Sequence, residues 1–197
     1  MYRHSKLAMN QVKTFKNICK NTKELCSVKV PFLLCILSLF FFSNPSVADD
    51  QEATLDFLNK HFANNIPSPQ RLWLNKDKQN EITTQINPSQ LKLSYRYWHD
   101  GNKSVWILDE IGKERDITTG IVIENNNIQN VEVLVYRESR GGQVQNSRFT
   151  QQYNQKNQQS NFSKEIDSIS GATLSVYALN KQVSLALLLN QYRTDAN

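Results

Sequence analysis

The sequence predicts an α+β fold, an antiparallel sheet of about four strands with helices packed on one face. Period-two alternation dominates residues 91–136. Apolar residues at helical spacing mark both flanks, before residue 65 and after residue 176. Turn-forming runs separate the strand-like segments by only a few residues, which demands antiparallel hairpins rather than crossovers. At 197 residues the chain accommodates one ordinary domain with a leader and a short appendage, and excludes a large multi-domain machine.

The leader comes first. Residues 1–48 hold Arg3, Lys6, Lys13, Lys16, Lys20, Lys23 and Lys29 against the single acid Glu24, then an uncharged apolar run from Val30 to Phe42, then Ser46-Val47-Ala48 before two acids. That order is a secretory signal with cleavage expected after Ala48. The run is 13 residues long, short of the roughly 20 that cross a bilayer, so a retained anchor is the weaker reading. Bulky Leu33 and Leu34 before Cys35 argue against a lipoprotein cleavage site. Cys19, Cys26 and Cys35 all lie in this leader, so a processed chain has no disulfide, thiolate nucleophile or cysteine-ligated metal. The formal charge of +5 also originates there; residues 49–197 carry 16 basic and 17 acidic side chains. A nucleic-acid binder is thereby disfavoured.

From Asp49 to Asn65, Leu55, Leu58 and Phe62 recur at helical spacing with Phe57 beside them, and Asp49, Asp50 and Glu52 suit a helix start, so a short surface helix is expected. Ile66-Pro67-Ser68-Pro69 ends it. Arg71 to Ile86 reads as a weaker helix or irregular packing segment anchored by Leu72, Trp73 and Leu74. Leu91, Leu93, Tyr95 and Tyr97 then alternate with polar residues as a half-buried strand, and His99-Asp100-Gly101-Asn102 supplies a hairpin turn. Val105–Leu108, Ile117–Glu124 and Ile128–Tyr136 complete a four-strand meander, the last two joined by Asn125-Asn126-Asn127. Gln143 to Asn161, 11 of 19 residues being Asn or Gln, suggests a helix flanked by a mobile loop. Val176, Leu179, Val183 and Leu187 define a final helix running towards Tyr192. The divisions are 1–48 as signal peptide, 49–90 as helical segment and linker, and 91–197 as the functional domain.

Chemistry concentrates at Asp167-Ser168-Ile169-Ser170-Gly171-Ala172-Thr173-Leu174-Ser175, where a loop enters the last helix. Free N–H groups, the helix dipole and small side chains would make an anion seat with a hydroxyl at its centre. The same residue types also suit ordinary helix capping, and by composition alone both readings stand. Other sites are poorly supported. His61 and His99, the histidines outside the leader, lack ligand spacing and read as surface residues, so no metal site is expected. Dinucleotide-binding and P-loop glycine patterns and a Gly-x-Ser-x-Gly elbow are missing from the sequence.

The spacing Asp167, Ser170, Gly171, Ala172, Thr173, Ser175 resembles the flavinylation motif of the FMN-binding domain family, which includes the FMN-carrying subunits of the sodium-pumping NADH:quinone reductase. Segments 106–114 and 133–142 are similar to small exported FMN-binding proteins of bacteria, so the resemblance covers about residues 91–190. It implies that Thr173 is joined through a phosphoester to FMN by a separate flavin transferase using FAD and a divalent metal. Thr173 would then be modified rather than catalytic, with Asp167 and Ser170 shaping the turn and recognised by the transferase. It also implies that Arg137, Glu138 and Arg140, ahead of Gly141 and Gly142, lie beside the flavin ring. There an arginine would raise the potential, and Glu138 would fix a ring edge or pair with an arginine. Trp106, Tyr136 and Phe149 are candidates for ring stacking or for core. The expectation is an exported, extracytoplasmic flavoprotein, with membrane association allowed for, passing electrons between a membrane redox partner and an outside acceptor. A flavin-free envelope scaffold is the alternative, and a self-contained reductase a third.

Overall fold

The computed structural model describes residues 45–194. The predicted signal peptide and its three cysteines therefore lie outside the described residues, apart from the last few positions. Residues 46–197 form one compact unit, in which an α+β fold is built on a five-stranded antiparallel meander in the order β1-β2-β3-β4-β5.

Helix α1 spans Pro45–Phe62. Asp49, Asp50 and Glu52 thus sit a turn inside it rather than at its start. Phe57, Leu58 and Phe62 are buried while Leu55 stays exposed, so the helix is packed more deeply than a surface helix. Gly120 explains the depth: a Cβ there would lie 2.5 Å from the Phe57 ring, and only glycine lets that ring lie on the strand.

The segment expected to be helical or irregular begins instead with a strand, β1 (Gln70–Trp73), followed by α2 (Lys76–Gln85). Four residues are too few to show a period, and β1 exists because it pairs with β2 (Ser94–Asp100), Leu72 facing Tyr95. Asn75 accepts a bond from the Lys78 N–H at 2.9 Å and caps α2, which buries Ile82. Strands β3 (Lys103–Ile111), β4 (Asp116–Glu124) and β5 (Asn127–Tyr136) follow through short hairpins.

Because alternate residues point to opposite faces, strands β2 to β5 feed two cores. Tyr97, Trp106, Leu108, Ile121 and Val131 join the large one, and Trp98, Val105 and Val122 join a smaller one with Phe57, Leu58 and Phe62 of α1. The glutamine-rich segment is not one helix. It forms 3-10 turns at Gly142–Gln145 and Gln151–Tyr153 around α3 (Ser147–Thr150), followed by α4 (Phe162–Glu165). Val144, Phe149 and Tyr153 anchor it in the core, and it bonds to the free edge of β5 through Ile128 N–H to Lys156 O (2.8 Å) and Gln155 N–H to Ile128 O (2.7 Å).

Helix α5 (Thr173–Thr194) covers the large core with Val176, Leu179, Val183, Ala186 and Leu187. Polar side chains pin it along its length. Gln182, 1% exposed, accepts from the Thr119 hydroxyl at 2.5 Å and donates to the carbonyls of Ile117 (2.6 Å) and Leu108 (3.1 Å). Asn180 accepts from the Tyr153 hydroxyl at 2.6 Å, and Asn190 accepts from Ser104 Oγ at 2.8 Å. Gln182→Leu keeps the bulk but strands the Thr119 hydroxyl in the core. Its expected cost is about 1–3 kcal/mol, seen as a lower urea midpoint at unchanged slope.

Candidate functional site

The last helix starts in a way that leaves an opening for an anion. Ala172 N–H bonds to Ile169 O at 2.9 Å across a four-residue turn whose third residue, Gly171, has φ +79, the value a type II turn requires at that position. Ala172 O then accepts from Val176 N–H at 3.0 Å, which makes Ala172 the N-cap. An alanine cannot cap with its side chain, so the N–H groups of Thr173, Leu174 and Ser175 have no intrahelical acceptor and no capping oxygen from that position. Asp167 and Ser170 are exposed, and among the described residues neither side chain is hydrogen-bonded. The Asp167 backbone N–H donates to Gln152 Oε1 at 2.9 Å, fastening the motif's first residue to the glutamine-rich segment. Ordinary capping by Ser170 or Thr173 is therefore not what the local geometry provides.

Thr173 and Leu174 face outward, whereas Ala172 and Ser175 turn inward. Ser175 Oγ lies 3.0 Å from the Tyr136 hydroxyl, and that hydroxyl donates to Arg140 O at 2.5 Å. Gly141, at φ +86, lies so close that a Cβ would fall 2.8 Å from the Tyr136 hydroxyl and 3.1 Å from both Ala172 Cβ and Ser175 Oγ. The end of β5 is thus fastened to the first turn of α5, and its glycine is required by both backbone angle and space.

Glu138 has a different task from a ring contact or an ion pair with arginine. Its Oε1 accepts from the N–H groups of Lys113 (2.5 Å), Glu114 (2.7 Å) and Arg115 (2.9 Å), tying the β3–β4 turn to the strand end. Those bonds, the one from Arg115 foremost, hold its carboxyl below the usual carboxylate range against the opposing effect of desolvation. Gly112 belongs to the same clamp, since a Cβ there would lie 2.9 Å from Glu138 Oε1.

These contacts frame a cleft of about 530 Å³ lined by the 113–114 turn, residues 138–140 and the motif from Gly171 to Ser175, within the size range of cofactor sites. Thr173 opens into it beside Lys113 and Arg140. Lys113 is 3.6 Å from Glu114, a solvent-exposed pair, while Arg140 has no ion-pair partner among the described residues.

Arg137 does not share this cleft. Strand alternation turns it to the other face, where its guanidinium pairs with Asp50 of α1 and donates to Thr118 Oγ1 at 3.1 Å. Trp106 is also elsewhere: at 0% exposure it stacks on Tyr97, ring centroids 4.8 Å apart, and donates to Ser104 Oγ. Phe149 is core beside Tyr153. His61 is half-buried against Phe57 and shares a 3.1 Å bond with Asn130, and desolvation lowers its pKa. His99 is likewise half-buried, with Nδ1 unpartnered, and stacks on Tyr97. No group of three or more potential metal ligands occurs among the described residues. The bonding role of Tyr136 and the place of Lys113 were not legible from the sequence, because both depend on which turns meet across the cleft.

Glu138→Ala should free the 112–115 turn and speed amide exchange at Lys113, Glu114 and Arg115, with the core amides unchanged. Since the folded pKa of Glu138 is lowered, its contribution is present above the ordinary carboxylate pKa of 4.5 and fades as pH falls through the lower folded value. The stability gap between wild type and variant, measured by urea unfolding from pH 7 downwards, should therefore close only below about pH 4.5.

No curated protein matches this chain. Residues 112–188, from the clamped β3–β4 turn through the motif to the penultimate turns of α5, match the family model of the FMN-binding domain. The lining of the cleft, from Lys113 to Ser175, falls within the matched residues, and over residues 112–188 the chain is similar to the FMN-binding domain family.

Proposed function

We propose that the protein is an exported flavoprotein that holds FMN covalently through Thr173 Oγ and relays electrons between a membrane donor and an acceptor outside the cytoplasm. The observation that carries this reading is the start of α5: an alanine N-cap, three N–H groups without an intrahelical acceptor, and an exposed threonine hydroxyl opening on a cleft that holds Lys113 and Arg140. In the attachment step Thr173 Oγ attacks the FMN-side phosphorus of FAD, the pyrophosphate bond breaks, AMP leaves and the hydroxyl proton goes to base. A threonine hydroxyl is a weak nucleophile, so the base and divalent metal belong to a flavin transferase. Once bound, FMN supplies reversible storage of electrons. The chain's share is to seat the phosphate on the N–H groups of Thr173 to Ser175, to keep the cleft walls in place through Glu138 and Tyr136, and to present the Arg140 cation, which favours the more negatively charged, reduced state. A tether suits an envelope protein, where a lost cofactor is not easily replaced.

Thr173→Val keeps the branched shape and removes the hydroxyl. After co-expression with a flavin transferase, wild type should give a fluorescent band on a denaturing gel and a peptide heavier by one FMN less a water. The variant should give neither while keeping its circular dichroism. An adduct on Ser170 or Ser175, or a wild type that stays colourless, would overturn the reading. The intact mass of the same sample reports whether the chain starts at Asp49.

Arg140→Met should lower the flavin potential by tens of millivolts, about 30 mV corresponding to 1.4 kcal/mol in a two-electron couple. Arg137→Met, tied up with Asp50 on the other face, should leave the potential near wild type.

A further inference from the structure

On the sheet face that carries α1, the small core uses only Trp98, Val105 and Val122, with Ile107 and Leu134 packed beside it, so α1 lies over β3, β4 and β5 and leaves β1 and the start of β2 uncovered. Arg71 and Trp73 of β1 and Ser94 and Arg96 of β2 occupy that open part of the face, opposite in facing to buried Leu72 and Tyr95. Trp73 is 67% exposed.

Arg71 and Arg96 are direct cross-strand partners. Like charges so placed are unfavourable, and among the described residues neither has a carboxylate at ion-pair distance. Arg71 donates only to Ser94 Oγ, at 3.3 Å. Two unneutralised guanidinium groups beside an exposed indole match the composition of a membrane-interface surface, in which tryptophan and arginine sit at the headgroup level. Acidic protein would answer the charges but would not call for the exposed tryptophan.

The strand registers also orient the patch. Trp73 faces Ser94, Tyr97 faces Trp106, so Ser94 comes level with Asp109, which faces Thr118, which faces Val135. The patch therefore lies at the end of the sheet where the Glu138 clamp and the Thr173 cleft lie, four strand spacings away, about 19 Å. We propose that Arg71, Trp73 and Arg96 seat this domain on an anionic lipid surface, with the cleft end of the sheet held towards the bilayer. The inference is independent of flavin attachment and can stand or fall without it.

Trp73 is its own reporter. The protein has three tryptophans, none in residues 1–48, and Trp98 and Trp106 are buried. The protein as purified from cells is mixed with vesicles of phosphatidylcholine, with or without about a third phosphatidylglycerol, carrying doxyl-labelled lipid. The expected result is a blue shift and quenching of tryptophan emission with the anionic vesicles and little change with neutral ones. Arg71→Glu with Arg96→Glu should weaken this at least about tenfold, since each basic residue near an anionic surface contributes roughly a factor of five, while circular dichroism stays unchanged. No shift on anionic vesicles, or an equal one on neutral vesicles, would overturn the proposal. So would a shift produced by polyglutamate in place of vesicles, which indicates an acidic protein partner, or one that tracks protein concentration without lipid, which indicates self-association.

Discussion

The geometry of the site depends on how α5 is fixed on the sheet. Apolar packing alone would tolerate small rotations and slides of a helix that is nearly all buried, because Leu, Val and Ala make no directional contacts. Gln182 removes that freedom by bonding to carbonyls of two adjacent strands and to Thr119 in the interior, where an unmade bond is costly. With Asn190 held to Ser104 near the other end, helix rotation and depth are both set. Thr173 then faces the cleft and Ser175 faces Tyr136 as consequences of helical geometry.

The opposite wall of the cleft is fixed by backbone bonds rather than by packing. Glu138 gathers three consecutive N–H groups of the β3–β4 turn, and the Tyr136 hydroxyl holds Arg140 O next to Ser175. They are two residues apart, so strand alternation gives them the same facing, from which they reach different elements. The same alternation sends Arg137, between them, to Asp50 on the far face. A six-residue segment thereby supplies a clamp, a hinge pin, a brace for α1 and, at the cleft, an Arg140 cation with no ion-pair partner among the described residues, and its glycine at 141 allows all of them to coexist at close quarters.

The family match begins at Gly112, so α1, β1, α2, β2 and β3 lie outside it. They still contribute to the same compact unit: Gly120 in the matched region receives Phe57 from α1, and Gln182 of α5 reaches Ile117 and Thr119 inside the match and Leu108 outside it. The part outside the match also gives the molecule its uncovered sheet face with Arg71, Trp73 and Arg96. The family match and the open sheet face therefore lie in different portions of the chain.

The sequence by itself determined the long regular elements and the motif. Period-two alternation in β2 to β5 and the stripe of α5 are local patterns created by which side of an element is buried, and the Asp167–Ser175 spacing is local as well. The order and antiparallel pairing of those four strands follow from turns of a few residues, which leave the chain no other path. What only the tertiary structure decided are contacts between distant segments. β1 is four residues long and acquires its conformation from Tyr95 and its neighbours, so no period announced it. The glutamine-rich segment folds as short turns because Val144, Phe149 and Tyr153 find the core and Ile128 offers a free edge. The assignment among Arg137, Glu138 and Arg140 was closed to sequence reading for the same reason. All three are polar and adjacent, and their partners, Asp50, the 113–115 amides and the open cleft, are brought to them only when α1, the β3–β4 turn and α5 converge on the end of β5.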